Sequence, residues 1–190
     1  MSYHRLPRQE RRDALLDAAW RLIADRGADA LTLAEVARLG GVSKPVAYDH
    51  FGDRAGLLCA LYERYYTRHI DDLERLLAAA GTLEAGARTI AAAYVDCEIK
   101  SGPVAAALSA AMKGTARMEA MKHDCDDRYL DLCRRMLTER GGGAPDQITL
   151  VGFLGAAASV AQHVVSGRLP QAEATGFLAG LLAGAARPAS

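Results

Sequence analysis

Apolar residues recur every three or four positions along almost the whole chain, the spacing of one helical face. No stretch alternates in the manner of a strand bounded by hairpin turns. Leu15, Ala19, Leu22 and Ile23 make one stripe, with Leu16 and Trp20 beside it, and the pattern predicts a first helix over 9–26, ended by Gly27. Thr32-Leu33-Ala34-Glu35 reads as a capping box, in which the Thr32 hydroxyl accepts from the Glu35 N–H and the Glu35 side chain reaches back to the Thr32 N–H. A second helix therefore starts at Leu33, and Gly40-Gly41 stops it after barely two turns. Ser43 is placed to cap a third helix, with Pro45 in its first turn, where a missing N–H costs little. Gly52-Asp53 closes that helix and opens a long fourth one carrying Leu57, Leu58, Leu61, Tyr62 and Tyr65 and continuing through Leu73 and Leu76 to a loop at Gly81. Breaks at Ser101-Gly102-Pro103, at Gly114, over 141–145 and over 166–170 divide the rest into about five more helices. The expected fold is all-α, with about nine helices and no internal repeat.

Composition adjusts this picture only slightly. A chain of 190 residues that is 51% hydrophobic can bury a core, so disorder is excluded as a reading of the whole. The formal net charge is zero, which argues against a wholesale polyanion binder. Arg5, Arg8, Arg11 and Arg12 nevertheless face only Glu10, making a short basic arm. Cys59, Cys97, Cys125 and Cys133 form no C-x-x-C pair, so neither a disulfide framework nor a structural zinc site is expected. His123 and Cys125 stand among Asp124, Asp126 and Asp127, but neighbours at i and i+2 point to different sides of a helix, so no metal is expected there. The N-terminus lacks an apolar leader; the apolar run Ile148 to Val165 is interrupted by Gln162 and His163, and Ala174 to Ala186 is too short for a bilayer. A cytoplasmic protein without a membrane span is the expectation. No nucleophile–base set, metal quartet or phosphate loop stands out, so neither catalysis nor a cofactor is expected.

Residues 40–51, GGVSKPVAYDHF, carry the functional signal. Two short helices joined by a tight glycine turn, the second polar on its outer face, describe a helix-turn-helix. Ala37 is small where the helices cross, Gly41 lies four residues on in the turn, and Val42 plugs the core. The major groove of B-DNA is about 12 Å wide and admits one helix. Lys44 and Val46 stand at the leading end of the third helix, with Tyr48, Asp49 and His50 further on; Tyr48 and His50 suit phosphate oxygens, and Lys44 supplies charge. A capped short helix with a Tyr and a His also occurs in plain helical cores. The order of basic arm, capping box, glycine turn and long following helix favours the DNA reader.

That order resembles the TetR family of bacterial transcriptional regulators. The matching runs are 16–27 (LDAAWRLIADRG), 31–37 (LTLAEVA), 41–51 (GVSKPVAYDHF), and Arg54 with Leu57-Leu58. The likeness covers about residues 9 to 66, a third of the chain. It implies a DNA-binding domain over 1–66, with a three-helix helix-turn-helix, and a larger helical effector-binding and dimerisation domain over 67–190. By position, Thr32, Ser43, Tyr48 and His50 would hold the DNA backbone and Lys44 and Val46 would approach bases. Arg54, where the family usually has Lys, would grip a phosphate. Asp49 departs from the aromatic common at its position; an acid can accept from cytosine but repels phosphate.

In the C-terminal two-thirds, Gly176, Gly180 and Gly184 recur every four residues, and Gly152, Gly155, Ala156 and Ser159 give the preceding helix a similar smooth stripe. Glycine weakens a helix by up to about 1 kcal/mol relative to alanine, so such runs suggest close backbone approach. The approach is either within the chain or, as the resemblance implies, across a homodimer interface. Met118, Met121, Cys125, Tyr129, Leu132 and Met136 step along one helix, and Ile90, Tyr94 and Cys97 along another, the adaptable lining of an apolar pocket or of an ordinary core. The expected function is a homodimeric, sequence-specific regulator binding double-stranded DNA, a repressor released from a palindromic operator by a small-molecule effector. The alternative is an all-helical enzyme or binding protein whose N-terminal segment only looks like a DNA reader.

Overall fold

The structure, a computed structural model, describes residues 7–140 and 143–186. Arg5 of the basic arm and Gly141-Gly142 of the expected break lie outside these residues. Among the described residues every regular element is helical. In chain order these are α1 (Arg8–Arg26), a 3-10 turn (Ala28–Ala30), α2 (Leu33–Leu39), α3 (Lys44–Phe51), α4 (Arg54–Leu77), α5 (Leu83–Ala111), α6 (Ala116–Glu139), α7 (Gln147–Val165) and α8 (Gln171–Ala185). The expected break at Ser101-Gly102-Pro103 is present as a kink at which two helical stretches of the α5 span meet. There Gly102 takes φ 49° and ψ −139°, which is not helical, so the 29-residue span of α5 is two helices joined at this residue.

The chain forms two compact units, one of residues up to Tyr65 with Pro103–Lys122, the other of Tyr66–Gly102 with the residues from His123 on. In the first unit, the apolar stripe of α1 (Leu15, Leu16, Ala19, Leu22, Ile23) is buried with Leu33, Val36 and Ala37 of α2, Ala47 and Phe51 of α3, and Leu57, Leu58 and Leu61 of α4. Trp20 stacks on Tyr65 with ring centroids 5.5 Å apart. Arg64 fastens the same helices, donating to the Asp13 carbonyl at 3.0 Å and pairing with the Asp17 carboxylate at 2.9 Å.

Two local readings are corrected. Thr32 caps α2, its hydroxyl accepting from the Glu35 N–H at 3.2 Å, but Glu35 does not reach back. Its carboxylate is instead gripped by the Arg38 guanidinium and by Arg26 nine residues earlier. Those hydrogen bonds, Arg38 first, lower its pKa to about 2. Ser43 occupies the N-cap position of α3, yet its hydroxyl makes no capping bond; the exposed side chain is left for other partners.

The second unit is built on Leu73, Leu77, Ile90, Val95, Tyr129, Cys133, Met136, Leu150, Phe153, Leu178 and Leu182. α7 is long and apolar enough to cross a bilayer by length and composition, contrary to the sequence expectation. Most of that helix is exposed, and it lies beside α8.

Candidate functional site

The α2–α3 junction fixes how α3 is presented. The Gly40 N–H donates to the Val36 carbonyl at 2.8 Å and the Val42 N–H to the Ala37 carbonyl at 3.0 Å, folding the chain back over Ala37. Gly41 in between has φ +66°, a left-handed conformation that favours glycine. At Gly40 a Cβ would stand 2.7 Å from Cδ2 of Leu15, so the turn sits directly on α1.

Ala47 and Phe51 are the buried residues of α3, and the Arg12 guanidinium lies 5.7 Å from the Phe51 ring centre. Each residue of an α-helix advances about 100°, which puts Asp49 about 180° from the midline of Ala47 and Phe51. Pro45 and Val46 flank it, and Tyr48 and His50 project about a quarter turn to either side. Lys44, Pro45, Tyr48 and Asp49 are exposed, Val46 and His50 half-buried. Two hydrogen-bonding rings therefore straddle a narrow outward strip. Burial chiefly, helped by Arg8, Arg11 and Arg12, holds His50 below the usual imidazole range against the opposing pull of Asp49. A neutral ring keeps one N–H donor for an anionic oxygen.

Arg54, for which the resemblance implies a phosphate contact, also makes bonds within the chain. Its Nε donates to the Leu31 carbonyl at 2.9 Å and its Nη2 to the Ala28 carbonyl at 2.8 Å. The guanidinium thus ties α4 to the loop before α2, leaving three of its five N–H groups for a phosphate.

Of the nine residues expected to line an effector pocket, Met118 and Met121 fall in the first unit and the other seven in the second. Ile90, Tyr129 and Met136 are core residues, with Tyr94 packed against them; Cys125 is buried and Cys97 half-buried. A cleft of about 370 Å³ between α4 and α5 is lined by Leu73, Leu76, Ala93 and Cys97 together with Asp72, Arg75, Asp96 and Lys100. A second, of about 220 Å³, is bordered by Leu77, Leu132 and Met136. Tyr129 lies between His69, stacked at 5.8 Å, and Tyr94, edge-on at 5.8 Å, and its buried hydroxyl has no hydrogen-bond partner. Burial pushes the Tyr129 phenol well above its ordinary pKa and the Cys133 thiol up to about 12. An unpaired buried hydroxyl costs about 1–3 kcal/mol. Tyr129→Phe is therefore expected to stabilise the protein by about 1 kcal/mol or more in urea unfolding, and a loss of stability would mean that the hydroxyl is satisfied.

The glycine stripes of α7 and α8 face outward. Gly152, Gly155, Gly176, Gly180 and Gly184 are exposed, and a Cβ on any of them would meet nothing within 4 Å. Intrachain backbone approach, one of the two readings of these stripes, is therefore not what the glycines serve. Ser159 is exposed on the same side, and Ile148 (85% exposed), Val151 (53%), Phe177 (60%) and Leu181 (41%) continue the two faces.

Residues 15–61 match the family model of bacterial regulatory proteins, tetR family. The transcriptional activator FasR of Mycolicibacterium smegmatis is 46% identical over 70 residues, covering 37% of this chain and 30% of FasR. The regulator BetI of Rhizobium meliloti is 42% identical over 72 residues, 38% of this chain and 36% of BetI. The chain thus matches about a third of the length of these relatives. The fold extends further: FadR of Bacillus subtilis, solved in complex with stearoyl-CoA, superposes with a TM-score of 0.76 at 15% identity over 91% of this chain and 98% of its own. Over residues 15–61 the chain is thus similar to bacterial regulatory proteins of the tetR family, and over nearly its whole length its helical fold is like that of the solved FadR.

Proposed function

We propose that this protein is a sequence-specific, DNA-binding transcriptional regulator, a homodimeric repressor released from a palindromic operator by a small-molecule effector. The observation that carries the reading is the outward face of α3, where Tyr48 and His50 straddle the strip Pro45–Val46–Asp49 on a helix anchored by Ala47 and Phe51. In this reading α3 lies along a major groove, the two rings meet phosphates on its opposite walls, and Ser43 and Lys44 contact DNA at its leading end. Thr32 caps α2 close by, and Arg54 chiefly fixes the loop behind the reading head. The regulator names borne by FasR and BetI support the same reading over an enzyme.

The outward stripes of α7 and α8 support a twofold interface, which would set two α3 helices about 34–36 Å apart or a multiple of it, one duplex turn per step. The apolar residues lining the cleft between α4 and α5, beside charged ones, support an effector with an apolar body and a polar end; the fold neighbour FadR was solved with stearoyl-CoA. A chromosomal target implies a cytoplasmic protein.

A gel-shift with the intergenic DNA beside the gene tests the whole reading, and absence of a shifted band in low salt would end it. On a bound fragment, Tyr48→Ala is expected to weaken all sequences alike, by about tenfold, through loss of a hydrogen bond to charged phosphate. Lys44→Ala is expected to lower both affinity and discrimination. A changed base preference with the first, or an unchanged one with the second, would reverse those roles.

A further inference from the structure

Asp49 is the residue of α3 that points most directly away from the protein, and it is an acid on the face offered to a polyanion. Its carboxylate is exposed (side chain 69%) and pairs at 3.5 Å with Arg8, at the head of α1, whose side chain is 73% exposed. Arg11 and Arg12 follow on α1, close enough to act electrostatically on His50 beside it. A carboxylate there loses affinity against phosphate unless a cation offsets it and a donor on the DNA rewards it. Arg8 supplies the first. In the major groove the N4 amino group of cytosine is a donor suited to Asp, whereas the purine N7 and O6 positions are acceptors that repel it.

Resting on the regulator reading, we propose that Asp49 is a base-reading residue that selects cytosine at one fixed position in each half-site by accepting a hydrogen bond from its N4 amino group, while Arg8 offsets the carboxylate's charge beside the DNA backbone. Pro45 and Val46, on either side of Asp49, offer no side-chain hydrogen bond, so the strip reads polar information through Asp49. Apolar contact by Val46 suits a thymine methyl next to that cytosine. Arg8 keeps its fork of donors for a phosphate, or for the guanine paired with the selected cytosine, once Asp49 turns to the base.

The test is selection of random duplexes by the full-length protein, followed by competition binding on the enriched site. The wild type is expected to enrich cytosine at the position in question and to bind it roughly 5- to 150-fold more tightly than the other bases there. Asp49→Asn is expected to move that preference to adenine, whose N6 and N7 match an amide. Asp49→Ala should lose the preference at that position and keep the rest of the motif. Arg8→Ala should keep the cytosine and lower affinity for every site. Both side chains are exposed, and circular dichroism of each variant verifies the fold. Identical motifs for wild type and Asp49→Asn would overturn the proposal while leaving the DNA-binding reading intact; failure of every protein to enrich any motif would overturn both.

Discussion

Gly180→Leu is expected to give a folded protein that sediments as a single protomer. In the protomer a Cβ at Gly180 enters open space, so leucine clashes with nothing inside the chain and improves the helix propensity of α8. Across a pair of closely approaching helices the same side chain has no room. Gly176 and Gly184, one turn to either side, mark the smooth strip it would interrupt, and Phe177 and Leu181 form the apolar surface it would hold apart. With the two reading heads uncoupled, operator affinity should fall by roughly 10²- to 10⁴-fold, the avidity gained when one bound module tethers another. Sedimentation and gel-shift titration measure the two effects separately. An intact dimer in this variant would place the interface elsewhere, and a monomer with full operator affinity would break the link between pairing and binding.

A glycine of the opposite kind gives the second large effect. At Gly56, in the first turn of α4, a Cβ would lie 2.0 Å from the backbone carbonyl oxygen of Phe51. No rotamer relieves a clash with backbone. The Asp53 carboxylate also accepts the Gly56 N–H at 2.6 Å, which caps the first turn of α4 and holds Gly56 in place. Gly56→Ala must therefore either shift α3 or unwind the start of α4, and it is expected to cost about 3 kcal/mol or more, at the upper end for overpacking. Gly152→Ala, with open space around its Cβ, is expected instead to leave the protomer up to about 1 kcal/mol more stable. Urea midpoints of the two variants should move in opposite directions. Similar midpoints would mean that the α3–α4 corner yields.

These two glycines also show what the sequence disclosed and what it hid. The stripe on α8 was legible because a four-residue repeat of an unfavourable residue is itself a signal. Gly56 carried no such mark, because its necessity comes from a carbonyl five residues earlier on another helix. The helices of the reading head could be drawn from apolar period and breakers, and the Thr32 cap from its residue type. The partners of Glu35 could not, since Arg26 reaches it around the loop at 27–31 rather than through the local motif. Nor could the bonds from the Arg54 guanidinium to the carbonyls of Ala28 and Leu31, because those acceptors lie more than twenty residues earlier in the chain. The break at Ser101-Gly102-Pro103 was legible from its residue types, and the positive φ of Gly102 is where the helix turns. For the effector residues, spacing along one helix located a face without saying what faced it. Met136 lies where a Cβ on Gly86 would be 2.5 Å from its sulfur, so part of that stripe fills space against α5.

The uncovered stripes on α7 and α8 also bear on solubility. Ile148, Val151, Phe177 and Leu181 stand exposed beside a line of glycines, and apolar surface left bare in water favours association. A charged residue in place of Phe177 is therefore expected to keep the protein in solution at concentrations where the native surface associates.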